Sequence, residues 1–228
     1  MNEEVAVLGG TGRLGKGLAL RLLKEHDVTI GSRVKERALD AVKEVKARAE
    51  SLYKHSGYKG EIKGQLNSDA AKENKIIILA IEADQLYDFL SASKDYEWRD
   101  KIVLSPVTRM KKTDDVFEYY PFDIDGTKVS AAEYIQHKLH DAEVISALHL
   151  VPASALWSLK ELPSLDVPAA GKEDVFRRIS KMFEAIGNLR FLYAGPLQVS
   201  YLIESALPLL LNIATRNDFK NAGIRVVT

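Results

Sequence analysis

Cysteine is absent from all 228 residues. The chain therefore forms no disulfide, holds no iron–sulfur cluster through thiolates of its own and offers no thiol nucleophile. Net charge is absent as well, since 32 Lys and Arg balance 32 Asp and Glu. Nucleic-acid binders carry a basic stripe, so a nucleic-acid partner is not expected. Long apolar runs are missing too. The longest near the carboxyl end, Ala206 to Leu211, falls far below the roughly 18 residues of a membrane span, and no membrane partner is expected. Met1 to Glu4 form no apolar leader, and a cytoplasmic setting is the expectation. No H-E-x-x-H, G-x-S-x-G or phosphate-transfer loop occurs. His137 and His140 stand three apart without a third ligand in sight, so no metal is expected there.

What is present begins at Val5. An apolar segment, Val5 to Leu8, runs into Gly9, Gly10, Gly12 and Gly15, and an amphipathic helix follows with Leu14, Leu18, Ala19, Leu22 and Leu23 on one face. Gly10, Gly12 and Gly15 fit the G-x-G-x-x-G spacing, with Thr11, Arg13 and Leu14 between them. Glycine serves such a turn in three ways: a sharp reversal, close approach of backbone to a pyrophosphate, and tight helix–strand packing. The helix N-terminus then offers free N–H groups and a positive dipole end to phosphates. A second strand, Val28 to Gly31, completes a βαβ unit.

An NAD site would place an Asp or Glu about 20 residues past the glycines to hold the ribose 2′-hydroxyl. This chain carries Ser32 and Arg33 there, with Arg37 one helical turn further on. A carboxylate would repel a 2′-phosphate, whereas a hydroxyl and guanidinium forks bind it. NADP(H) is therefore the expected dinucleotide.

Strand and helix signals alternate onward. They comprise a charged helix from about Val34 to Leu52, a strand at Glu61–Leu66, a short helix N-capped by Ser68, and the apolar run Ile76–Ile81 of a central parallel strand. A helix over Asp84–Ala92 and a strand Lys101–Ser105 stopped by Pro106 follow. Thr108 to Gly126 loses all pattern and reads as a mobile loop. Helix Ser130–Leu139, strand Glu143–Leu148, strand Asp166–Gly171, helix Asp174–Ile186, strand Leu189–Tyr193 and an apolar helix Gln198–Arg216 bent at Pro208 complete the chain. The alternation specifies an α/β, Rossmann-type, doubly wound and mostly parallel sheet with a small C-terminal helical extension. Residues 1–142 form the NADP-binding part. Residues 143–228 complete the sheet and build a second side of the pocket.

Ligands of such sheets sit beyond the carboxyl ends of the strands. Those ends carry Ile81, Ser105 and Pro106, His149 to Pro152, and Ala194 to Leu197. They are small or apolar, suited to a flat ring system rather than to acid–base hydrolysis. His149 is the titratable exception. It either donates a hydrogen bond to a ring carbonyl or is a buried histidine satisfied by backbone.

Leu8 to Gly17, Gly31 to Arg33, Val144 to His149, Ala194 to Leu197 and Glu204 to Ile213 together resemble the archaeal and actinobacterial NADPH-dependent coenzyme F420 reductases, over nearly the whole chain. The resemblance implies hydride exchange between nicotinamide C4 and C5 of the 5-deazaflavin F420. It implies that Thr11, Ser32, Arg33 and Arg37 hold NADP and that His149 and Val151 border the deazaflavin. Gly10, Gly12, Arg13, Leu14, Gly15, Ile81, Pro152, Ala194, Gly195, Pro196 and Leu197 complete the expected cofactor-binding set. The chain departs from the family at Glu82-Ala83 and in the basic stretch Val107 to Lys112, where Arg109, Lys111 and Lys112 could meet an anionic tail. Alternatives on the same fold are an NADPH-dependent reductase of a flavin or imine and a non-catalytic NADP(H) sensor. Small-molecule cofactor substrates and a homodimer are the expected partners.

Overall fold

A computed structural model describes residues 3–184 and 186–227. Met1 and Asn2 at the amino terminus, and Ala185 near the expected end of the Asp174–Ile186 helix, lie outside the described residues. The first half runs β1 (Glu4–Leu8), α1 (Arg13–Leu22), β2 (Asp27–Ser32), α2 (Lys35–Leu52), β3 (Ile62–Leu66), α3 (Asn67–Glu73), β4 (Ile76–Leu79), α4 (Leu86–Ala92) and β5 (Ile102–Ser105). Four short strands follow: β6 (Met110–Thr113), β7 (Val116–Tyr119), β8 (Phe122–Ile124) and β9 (Thr127–Val129). The chain continues with α5 (Ala131–Lys138), β10 (Glu143–Ser146), α6 (Ala153–Leu156), β11 (Leu165–Ala170), α7 (Glu173–Glu184), β12 (Leu189–Gly195) and α8 (Ser200–Arg216).

Alternation along the strands divides the core into two layers. Val5 and Val7, Ile76 and Ile78, and Ile102 and Leu104 face α1, α2 and α7. Ala6 and Leu8, Ile77 and Leu79, and Val103 face α3, α4 and α5. A strand with helices on both faces has no polar side to show, and all four residues of β4 are fully buried. Each such side chain contributes on the order of 2 kcal/mol of burial.

The eight main strands lie in the order β12-β11-β10-β5-β4-β1-β2-β3. β1 pairs in parallel with both β2 and β4, so the chain reverses its direction of winding between β1 and β4. That reversal opens a crevice above their carboxyl ends. β10 pairs in parallel with β5, so the chain beyond Glu143 continues the sheet begun by the first part. β11 joins β10 antiparallel and pairs with β12 in parallel.

The patternless stretch from Thr108 to Gly126 is not a mobile loop. It holds the antiparallel hairpin β6–β7 and most of a second, β8–β9. The second turns on Asp125 (φ 50°) and Gly126 (φ 85°), the left-handed pair that a two-residue hairpin turn requires. Three other expectations shift. β4 ends at Leu79, and Ala80 and Ile81 leave the sheet at the crevice. Ser68 does not cap α3: the helix starts at Asn67 after Leu66, with no side-chain cap. β10 ends at Ser146, and Leu148 turns left-handed (φ 73°), a conformation rare for a leucine.

α8 runs on from a 3-10 turn at Leu197–Val199. Together these residues are long and apolar enough, by length and composition alone, to cross a membrane, and only 28% of the apolar stretch is buried. Leu202, Leu209 and Ile213 stand exposed along it.

Candidate active site

The crevice at the winding reversal is a cleft of about 1080 Å³. Pockets for one drug-sized ligand measure about 300–1,000 Å³, so this space exceeds the range for a single small molecule. Its lining joins two chemically different ends. One carries Thr11, Gly12, Arg13, Gly15, Ser32, Arg33 and Arg37; the other carries Ala80, Ile81, Pro106, Val107, Met110 and Leu207.

The glycines at the first end divide their work in a way the spacing alone does not reveal. Gly9 makes the sharp turn, at φ 67°, and an added Cβ would lie 2.9 Å from the Ala80 carbonyl oxygen. Gly10 and Gly15 serve packing, because a Cβ on Gly15 would sit 2.5 Å from Gly10 Cα. Gly12 differs: a Cβ there meets nothing within 4 Å, and the residue opens onto the cleft as the N-cap of α1. The first turn of α1 has no acidic residue and no capping side chain, which leaves its N–H groups free for a ligand.

Arg33 precedes α2 and Arg37 lies in its first turn; both are exposed, and both line the cleft. Arg33 Nη2 donates to Gln85 Oε1 at 3.3 Å, which draws the guanidinium across the crevice mouth. Ser32 is buried and accepts from the Val34 N–H at 3.2 Å, fixing the entry into α2. No carboxylate stands in the place where an NAD enzyme would present one. Asn67 was invisible as a site residue from spacing alone. Its Oδ1 accepts from the Gly9 N–H at 3.2 Å and so ties α3 to the glycine turn.

His149 does not line the cleft. The left-handed Leu148 folds the chain back and buries the imidazole, whose Nε2 lies 2.8 Å from Ser146 Oγ and Nδ1 3.0 Å from Thr108 Oγ1. Thr108 is the member of this chain that reaches the cleft. Burial lowers the His149 pKa to about 3, with only partial opposition from a hydrogen bond with the backbone of Pro106. The ring is therefore neutral near pH 7, one nitrogen donating and the other accepting. Val151 is buried and Pro152 half-buried beneath the rim, and the next residue, Ala153, lines the cleft.

Ala194 to Leu197 lie outside the cleft, at the end of the edge strand β12. Leu197 packs instead against the core layer that contains α5. The basic stretch is also spoken for. Lys111 pairs with Glu118 at 3.0 Å and Lys112 with Asp115 at 3.8 Å. The Arg109 guanidinium sits over the rings of Tyr120 (4.5 Å), Phe122 (5.1 Å) and Tyr87 (5.7 Å), so its grip is on aromatic faces. Thr108, Met110, Gln85, Phe89 and Leu207 enter the lining without having been singled out from sequence. In the run leading into β6, Thr108 and Met110 line the cleft while Arg109 between them turns to the aromatic rings.

The family described as "NADP oxidoreductase coenzyme F420-dependent" matches residues 4–109. The F420-dependent NADP reductase of Methanocaldococcus jannaschii is 33% identical over 225 residues, covering 98% of this chain and 97% of that protein. The protein of the same name from Methanothermobacter marburgensis is 32% identical over 228 residues, covering 98% and 97%. Among solved structures, a chain from Arthrobacter sp. FB24, described as a candidate F420-dependent NADP-reductase, superposes with a TM-score of 0.77 at 18% identity over 100% of both chains. An imine reductase from Bacillus cereus superposes at 0.61 with 16% identity, covering 94% of this chain and 63% of that one. These two share the fold. With a third of its residues identical to a curated relative across almost its full length, the chain belongs to the F420-dependent NADP reductase family.

Proposed function

We propose that this protein exchanges a hydride between C4 of the nicotinamide of NADP(H) and C5 of the deazaflavin coenzyme F420. The observation that carries the reading is a single cleft lined both by Gly12, Arg13, Arg33 and Arg37 and by the apolar Ala80, Ile81, Pro106, Val107 and Met110, with Glu82 and Asp88 also in its wall. Both groups fit what lines it. The open position at Gly12 leaves room for a pyrophosphate, and Ser32, Arg33 and Arg37 supply the donors that a 2′-phosphate needs. The shelf of Ala80, Ile81, Pro106, Val107, Met110 and Leu207 suits flat rings.

The two cofactors supply the hydride chemistry themselves. The chain's work is to bind, to orient and to exclude water. Thr11, Gly12 and Arg13 sit at the N-terminus of α1, where a diphosphate gains most from the helix dipole. Ile81 and Met110, both half-buried, supply apolar side chains to the shelf. Thr108 lines the ring end, and His149, held by Ser146, hydrogen-bonds its hydroxyl and fixes its rotamer. His149 and Val151 thus act from behind the lining. No nucleophile and no titrating base are called for, in keeping with the neutral imidazole.

A second copy of the chain covers the exposed stripe Leu202, Leu209 and Ile213 of α8, which makes a homodimer; the setting is the cytoplasm. A buried glutamate in the same helix, Glu204, accepts hydrogen bonds from the Ala131 and Ala132 N–H groups, and such a tie favours packing against protein over lipid.

The test is spectroscopic. Purified protein with NADPH and oxidised F420 should bleach the deazaflavin absorbance in step with NADPH consumption. Brisk turnover of flavins or cyclic imines with none of F420 would refute the reading. Binding of both NADP forms without any hydride exchange would identify a sensor instead.

A further inference from the structure

The hairpin β6–β7 has a fastening that the proposed chemistry does not use. Glu204 is fully buried in α8. Its Oε2 accepts from the Tyr119 hydroxyl at 2.9 Å and from the Ala131 N–H at 2.9 Å, and its Oε1 accepts from the Ala132 N–H at 3.1 Å. One carboxylate thus joins α8, the start of α5 and the last residue of β7. Tyr119 lies directly across the hairpin from Met110, which lines the cleft. A second tie runs parallel to it. The Asn212 side chain accepts from the Phe117 N–H at 2.9 Å and donates to the Phe117 carbonyl at 2.8 Å. α8 itself sends Leu207 into the cleft.

We propose that Glu204 is a positioning residue for the acceptor: through Tyr119 it holds the hairpin, and with it Met110 and Thr108, at the ring end of the cleft. The proposal rests on reading that end as the acceptor's. Removing the Tyr119 bond leaves the hairpin held by Asn212, by Arg216 on the Asp115 carbonyl, by the Tyr119–Tyr201 ring contact and by the Arg109 stack, so the shelf loosens while the dinucleotide groove stays as it is.

The fastening is sensitive to protons. The groups that act on the carboxylate are Tyr119 from the hairpin and, from the start of α5, Glu133 and the Ala131 and Ala132 N–H groups; Tyr201 of α8 packs on the Tyr119 ring, and Ser200 of α8 bonds Ser130, which in turn bonds Glu133. Burial raises the Glu204 pKa to about 7, and Glu133 adds to the rise, against the three hydrogen bonds that lower it. Tyr119 is pushed well above the ordinary tyrosine range and remains a donor. A protonated Glu204 has one oxygen fewer to accept with, and the tyrosine bond competes with the two backbone N–H groups for what is left.

The experiment measures the KM for F420, the Kd for NADP+ and amide-exchange protection of residues 110–119 from pH 8 to pH 6, in the parent, Glu204→Gln and Tyr119→Phe. In the parent, KM should rise and hairpin protection should fall by about two- to tenfold, the factor that one net hydrogen bond carries. Both variants should sit at the low-pH values throughout, with no pH step and an unchanged Kd for NADP+. Tyr119→Phe keeps the buried carboxylate and its helix bonds, so it answers even if Glu204→Gln folds poorly. Turnover of F420 with KM and protection indifferent to pH and to both variants would overturn the proposal and leave the function standing. A stepped protection with the same step in KM for a flavin, and no turnover of F420, would support the fastening while removing F420 as acceptor.

Discussion

Acidification should test the placement of His149 directly. Its folded-state pKa lies near 3, against 6.5 for an ordinary histidine. Folding therefore favours the neutral ring, and the stability this gives is present above 6.5 and is lost as pH falls from there toward 3. At pH 5 the unfolded chain holds a proton that the folded chain refuses. The difference of 1.5 units from 6.5, at about 1.4 kcal/mol each, gives a loss of roughly 2 kcal/mol relative to pH 7. Glu204 works in the opposite sense. Its folded pKa of about 7 lies above the ordinary 4.5, so its burial cost is relieved as pH falls through 7. That gain between pH 7 and pH 5 is again about 2 kcal/mol, which hides the histidine in the parent's own curve. The comparison to make is urea unfolding of the parent and of His149→Gln at both pH values. The variant should lose about 1 kcal/mol at pH 7 for its poorer hydrogen bonds. On going to pH 5 it should then gain about 2 kcal/mol relative to the parent. Urea midpoints that shift by the same amount in the two proteins between pH 7 and pH 5 would refute the assignment of a buried, neutral imidazole.

Arg33→Asp should weaken NADPH by about 10- to 100-fold, the value of a lost charged hydrogen bond, and leave NADH nearly unchanged in titrations of each; equal losses would dismiss phosphate recognition. Gly12→Ala, with nothing near its Cβ, should melt at the parental temperature yet bind NADP+ more weakly. Gly15→Ala, which drives a Cβ to 2.5 Å from Gly10 Cα, should cost about 1–3 kcal/mol of stability or more by thermal unfolding. Leu209→Glu on the exposed stripe of α8 should shift the mass seen by light scattering from two copies to one; an unchanged mass would locate the dimer contact elsewhere.

The elements differ in how far sequence could read them. β1, α1 and β2 were legible because local chemistry dictates them: apolar alternation, glycines at fixed offsets and an amphipathic repeat. The hairpins were misjudged for a local reason. Their strands are three or four residues long, and Asp125-Gly126, a strong turn signal, lay inside a charged stretch without apolar contrast. Asn67, Thr108 and Met110 are different. Nothing about them is unusual in the chain, and their importance comes from the neighbours that the topology assigns: Gly9 across 58 positions for Asn67, and His149 across 41 for Thr108.

The order of residues by itself determined a doubly wound sheet, a glycine-rich turn at the start of the first helix and a cationic pair past the second strand. Short-range sterics and periodic burial suffice for those. Only the tertiary structure decided that His149 stands behind Thr108, that Ala194 to Leu197 lie away from the cleft, and that Glu204 fastens the hairpin. Each of these depends on which distant segments share a low-dielectric space, and burial there sets both hydrogen-bond partners and charge state.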